Sequence, residues 1–206
     1  MTNVAVLLFE DFETLDVFGP VEIFGRLTEL YSIKFCSVDG GLIGNRHGVS
    51  VPTEKLENLL DSFDIFLVPG GYGTRKEVHN SKLIDLINSV SNLCEYVMTV
   101  CTGTSLLACT GLLDGRHATT NKIAFDWVTT YGKEVLWNKR ARWVKDGKFY
   151  TSSGVTAGID MTLGFLEERH GIETAKRVAT EIEYVWIQDK NNDPFAIELR
   201  KRRWDQ

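Results

Sequence analysis

The sequence predicts an α/β fold with a mostly parallel central sheet, helices on both faces, and a small antiparallel hairpin. Three observations lead there. Apolar runs alternate with stretches that carry apolar residues at helical spacing, the pattern of repeated strand–helix–strand units. Runs such as Ile65-Phe66-Leu67-Val68 are apolar without a break, which suits a strand covered on both sides rather than one with a wet face. Between Gly40 and Thr53 the chain changes to Gly-Gly, Asn-Arg-His-Gly and Val-Ser-Val, which reads as the hairpin.

In order, Val4 to Phe9 is the first strand, Leu15 to Leu27 a helix, and Tyr31 to Val38 the next strand. Ile65 to Val68 and Tyr96 to Val100 are short buried strands. Gly103 to Leu113, small and apolar, reads as a buried helix with Gly111 and Gly115 as stop and turn signals. Ala118 to Thr120 is a short strand and Ile123 to Tyr131 a helix. Ala141 to Lys145 and Phe149 to Ser152 flank an Asp146-Gly147 turn. Thr156 opens a helix, and Ile159 to Arg169 and Glu173 to Ile187 keep apolar residues three and four apart. The whole chain, 1–206, reads as one domain, with about 191–206 as a C-terminal tail or helix extension.

At 206 residues one compact core suffices. The net charge of −5 and a longest basic run of Arg200 to Arg203 do not suggest nucleic acid as a partner. No apolar run approaches the roughly 20 residues of a membrane-spanning helix, and no basic segment precedes Val4, so a soluble protein without a signal peptide is expected. Cys36, Cys94, Cys101 and Cys109 show neither zinc-ligand spacing nor a disulfide framework, which predicts no metal and a reducing cytoplasm.

Chemistry is expected where strands end and helices begin. In Val97-Met98-Thr99-Val100-Cys101-Thr102-Gly103 a buried strand feeds a cysteine into a turn completed by glycine. That is the logic of a nucleophile elbow, and the helix start behind Cys101 is expected to favour the thiolate. The other three cysteines read as small buried hydrophobes. Val68-Pro69-Gly70-Gly71-Tyr72-Gly73 ends a strand in glycines whose N–H groups can serve as oxyanion donors. After the first strand, Asp11 to Glu22 bring carboxylates to the same edge, and spacing does not choose among Glu13, Asp16 and Glu22. Ser152 to Asp160, which includes Gly154 and Val155, opens a helix with small residues and can close a pocket wall with backbone donors.

Six segments, in order, resemble the ThiJ/PfpI superfamily, also called the DJ-one superfamily: Leu15-Asp16-Val17-Phe18-Gly19-Pro20, Pro69-Gly70-Gly71, Val100-Cys101-Thr102-Gly103, Gly111-Leu112-Leu113, Ala118-Thr119-Thr120 and Gly154 to Asp160. The resemblance runs from about Val4 to Tyr184 and implies a flavodoxin-like, class I glutamine amidotransferase-like fold. Within the superfamily the Cys-Thr-Gly elbow and the Leu-Asp-x-x-Gly-Pro segment look most like the isocyanide (isonitrile) hydratase subgroup. That implies Cys101 as nucleophile, Asp16 as acid/base, Thr102 assisting, and Gly70, Gly71, Thr102, Gly154 and Val155 around a small-molecule substrate. It also implies no cofactor and a homodimer.

Two segments depart from the subgroup. Asn121-Lys122 stand where it commonly has His-Trp, so a different pocket wall is expected, and Val185 to Asn191 replace a proline-rich stretch after Glu183-Tyr184. The competing expectations are a glyoxalase or deglycase acting on methylglyoxal-type aldehydes and a non-catalytic redox sensor using Cys101. Thr102, where the peptidase and glyoxalase branches carry His, argues against a Cys-His pair. No motif places His47, His79, His117 or His170 beside Cys101. The family's domain also forms half of AraC-type regulators, but the chain shows no following helix-turn-helix segment.

Overall fold

The computed structural model describes residues 1–59 and 63–198, and the basic run Arg200 to Arg203 lies outside the described residues. Its main sheet contains eight strands: β1 (Thr2–Leu7), β2 (Tyr31–Ser37), β3 (Gly41–Gly44), β4 (Ser50–Lys55), β5 (Ile65–Val68), β6 (Tyr96–Thr99), β9 (Trp143–Asp146) and β10 (Phe149–Ser152), in the order β3-β4-β2-β1-β5-β6-β10-β9. All pairings from β4 to β10 are parallel, and an antiparallel pair closes each edge, β3 on β4 and β9 on β10. The expected α/β fold is therefore present, with two hairpins. A separate pair, β7 (His117–Ala118) and β8 (Leu136–Trp137), stands apart.

Burial explains the parallel centre. Val4 through Leu8 and Ile65 through Val68 are buried residue by residue, without the alternation of a half-wet strand. The covering helices are α1 (Thr14–Gly25), α2 (Thr74–Glu77), α3 (Ser81–Leu93), α4 (Gly103–Ala108), α5 (Phe125–Val128), α6 (Ala157–His170) and α7 (Ile172–Glu181), with a short α8 (Phe195–Glu198) near the end. One group packs α1 on α6 and α6 on α7; the other packs α3 and α2 on α4, which lies against β5 and β6. α3 opens on Asn80, whose side chain accepts from the Leu83 N–H, an N-cap worth about 1 kcal/mol. The strand order reverses direction about β1, so the loops after β1, β5, β6 and β10 meet at one crevice.

Several elements are shorter than the sequence pattern predicts. The helix after Cys101 stops at Ala108 and gives way to turns, with Gly111 and Gly115 at positive φ. β7 ends at Ala118, because Thr119 and Thr120 turn their side chains to backbone carbonyls instead of extending a ladder. α7 ends at Glu181, and Glu183 lies at φ 51°. Beyond it the chain is strapped to α6: Tyr184 Oη and the Ile187 N–H donate to Asp160 Oδ1 at 3.1 and 3.0 Å, and Trp186 Nε1 donates to the Asp160 carbonyl. Specific polar contacts replace the helix that amphipathic spacing suggests.

The strap closes over a buried ion cluster. Arg142, only 1% exposed, donates through Nε and Nη2 to Asp160 Oδ2 at 2.9 and 2.7 Å. Asp193 Oδ1 lies 3.7 Å from its Nη1. With Arg142 removed, two buried carboxylates would lose their cation.

Candidate active site

Cys101 sits at the end of β6 with φ 57°, in the left-handed region. Three contacts hold the bend. Its N–H donates to the Ser153 carbonyl (3.1 Å), and its own carbonyl accepts from Thr120 Oγ1 (2.7 Å) and Thr104 Oγ1 (3.3 Å). The expected elbow is thus formed, and the Ala-Thr-Thr segment is one of its locks.

Of the three carboxylates that spacing leaves open, Asp16 reaches the thiol. Glu22 pairs with Arg26 on the surface, and Glu13 lies at the cleft edge, 3.9 Å from His47. Asp16 stands in the first turn of α1 and is fully buried. Its Oδ2 accepts from the Gly70 N–H at 2.9 Å, while Oδ1 has no partner in good hydrogen-bond geometry. The Cys101 thiol and the Val155 N–H are its other polar neighbours. Burial, opposed by the Gly70 N–H, pushes the Asp16 carboxyl up to about 8, so it holds its proton at neutral pH.

The thiol is raised as well, which corrects the expectation that the helix start favours thiolate. Burial dominates, and an ionised Asp16 would add to it; the Thr102 and Val155 N–H groups and the Asn121 side chain pull the other way. A six-residue helix provides little dipole to offset full desolvation. The resting pair is therefore a neutral thiol beside a neutral acid.

The remaining expected residues fall into distinct places. Gly70 is not an open donor, because its N–H is directed at Asp16. A Cβ there would stand 2.6 Å from the Thr102 nitrogen and 2.8 Å from Asp16 Oδ2, so only glycine permits this approach. The Gly71 N–H donates to Thr102 Oγ1 at 3.1 Å, and that hydroxyl also meets Thr74 Oγ1 at 3.1 Å. Thr102 hence offers the site its backbone N–H more than its hydroxyl. Val155, at φ 46°, points its N–H at both Asp16 and Cys101. Gly154 supplies room, since a Cβ would collide with Asn121 Nδ2.

Asn121 is the residue that motif reasoning did not assign. Its Oδ1 accepts from the Ala124 N–H at 2.8 Å, which turns Nδ2 toward Gly154 and the thiol. The signal was the departure itself: an amide in place of the subgroup's histidine. Lys122 turns inward, donating to Thr119 Oγ1 and the Ala141 carbonyl.

Cys101 and Thr102 floor a cleft of about 280 Å³, whose walls include Asp11, Phe12, Glu13, Arg46, His47, Gly71, Tyr72, Arg75, Asn121, Ile123, Ala124 and Val155. The loop between β3 and β4 reaches it because Asn45 Nδ2 donates to the Phe12 carbonyl (3.1 Å) and Thr14 Oγ1 (2.9 Å). Among the described residues, no cluster of three or more His, Cys, Asp or Glu side chains is arranged to hold a metal ion, and no helix is long and apolar enough to cross a membrane.

Fold and site together define an α/β protein with a cysteine on an elbow above a buried carboxyl. The chain belongs to the DJ-1/PfpI family, which it matches over residues 2–168. It is 32% identical to an isonitrile hydratase of Pseudomonas putida over 183 residues, covering 88% of this chain and 78% of that enzyme. A deglycase, PfpI of Pyrococcus furiosus, is 27% identical over 120 residues, 57% of this chain and 70% of that protein. A ThiJ/PfpI family protein from Pseudomonas syringae superposes with a TM-score of 0.81 at 25% identity, over 89% of this chain and 75% of that one.

Proposed function

We propose that the protein is a cysteine-dependent isocyanide hydratase, converting an isocyanide and water into an N-substituted formamide. One observation carries the reading: an acid fully buried and in contact with the Cys101 thiol, where burial raises its pKa, with no histidine following the cysteine. An isocyanide carbon must gain both a proton and a nucleophile, and this pair offers one of each on the same side of the cleft.

In the proposed sequence Asp16 gives its proton to the isocyanide carbon while the Cys101 sulfur bonds to that carbon. The thiol proton passes to Asp16 and restores the acid. The product is a thioimidate, Cys101-S–CH=N–R. Water then adds to the same carbon, placing one proton on nitrogen and leaving a hydroxyl on carbon. As the hydroxyl loses its proton, the C–S bond breaks, the sulfur recovers a proton, and R–NH–CHO departs. The N–H groups of Thr102 and Val155 and the Asn121 amide stabilise charge on sulfur. The active form is a homodimer in this reading, as family resemblance implies.

Purified protein incubated with phenyl isocyanide should accumulate N-phenylformamide; Cys101→Ala should abolish it and Asp16→Asn should slow it about 10²- to 10⁴-fold. Methylglyoxal consumption is the parallel assay. Consumption of methylglyoxal without formamide production would replace this reading with the deglycase one; Cys101 sulfinic acid formed under mild peroxide, with neither turnover, would favour the sensor.

A further inference from the structure

The cleft wall carries two arginines and a histidine, and two of these three side chains are already engaged. Arg46 is clamped to Asp11, with Nη2 2.9 Å from Oδ2. His47 Nδ1 contacts Thr14 Oγ1 at 2.8 Å and lies beside Glu13. Arg75 is different. Among the described residues no carboxylate lies within ion-pair distance of it; its guanidinium instead lies 4.6 Å from the Trp127 ring centroid and 5.2 Å from that of Tyr72.

That arrangement leaves the positive charge of Arg75 without an ion-pair partner, among the described residues, on the wall above Cys101. The floor does not cancel it, because the two titratable groups there are neutral at pH 7. A guanidinium held between ring faces keeps its fork of N–H donors ordered and free for a planar, two-oxygen acceptor. Tyr72 and Ile123, 59% and 78% exposed, give the same rim an apolar surface for the rest of the substituent.

We propose that Arg75 is a specificity-determining residue and that the isocyanides preferred by this cleft carry a carboxylate on their substituent. This rests on the hydratase reading and adds the substrate class to it. The isocyano carbon sits on Cys101, and the carboxylate pairs with Arg75 at the mouth.

The test compares 4-isocyanobenzoate with its neutral methyl ester. The anion should show kcat/KM higher by about two- to fivefold, the range for an ion pair in a partly wet cleft. Arg75→Gln should remove that preference by raising KM for the anion, with kcat for both substrates and KM for the ester unchanged. Arg75→Lys should keep part of it, and added salt should weaken it for the anion alone. Equal use of both substrates by the wild type, or a preference that survives in Arg75→Gln, overturns the inference and leaves the hydratase reading standing. If neither isocyanide is hydrated, the hydratase reading fails; calorimetry with 4-formamidobenzoate and its methyl ester then judges Arg75 alone, and equal affinities overturn the carboxylate subsite.

Discussion

Two buried aspartates mark the contrast between the candidate site of this molecule and its scaffold. Asp16 and Asp160 are both fully buried, and burial raises both. Asp160 is met by the Arg142 guanidinium, the Tyr184 hydroxyl and the Ile187 N–H, so its charge is matched and the C-terminal strap is fastened to α6. Asp16 has the N–H groups of Gly70 and Val155 and a thiol as polar neighbours, one oxygen without a partner in good geometry, and no cation. A matched carboxylate stabilises structure, whereas an unmatched one keeps its proton and can give it away.

The sharpest way to break the contrast is Asp16→Asn. Turnover should fall about 10²- to 10⁴-fold, the usual contribution of a positioned acid, while stability at pH 7 should rise, because the unfolded aspartate is ionised there and must regain a proton on folding, a cost the amide does not carry. Steady-state formamide assays and urea unfolding on the same preparation check both halves; a large loss of stability would make Asp16 another scaffold residue. Next is Arg142→Ala, which should cost about 3–5 kcal/mol in urea unfolding by leaving Asp160 and Asp193 without their cation.

The pH dependence of stability follows with its sign fixed. The Asp16 pKa is about 8 in the folded chain against an ordinary 3.8, so between these values the folded state holds a proton the unfolded state has released. Its contribution is full below about pH 4, declines as pH rises, and is gone above about 8. Thermal melts of wild type and Asp16→Asn across that range should show a shallower decline in the variant, and wild-type turnover should fall as pH passes about 8. The smallest effect expected is from Asn121→Ala. Loss of one donor to the sulfur should raise the thiol pKa further and slow iodoacetamide alkylation about fivefold at a fixed pH, read from a pH–rate profile.

The sequence discloses the scaffold better than the site. Unbroken apolar runs mark β5 and the core of β1 because covered strands need them, and glycine after Cys101 marks the elbow because a sharp bend needs it. Asp16 was one of three candidates, since helical spacing says which face a residue occupies but not what lies beneath it; the Gly70 loop decides that. Asn121 and Arg75 carried no periodic signal, being placed by turns and ring contacts between distant segments. Amphipathic spacing overextended the helix after Glu173 because it does not register a single residue at positive φ or the contacts that capture Tyr184 and Ile187.

The locks on Cys101 also set an order of assembly. Its N–H is held by Ser153 and its carbonyl by Thr120, both synthesised after it. The Ser153 contact cannot form until the chain past β10 has been made and β10 has paired with β6, so the bend is not fully held before then. During synthesis the cysteine is therefore an ordinary thiol on an unformed turn, and its environment arrives only with the closing strand. The long sequence separation that makes such pairing slow also ensures that the site is one of the last features of the domain to mature.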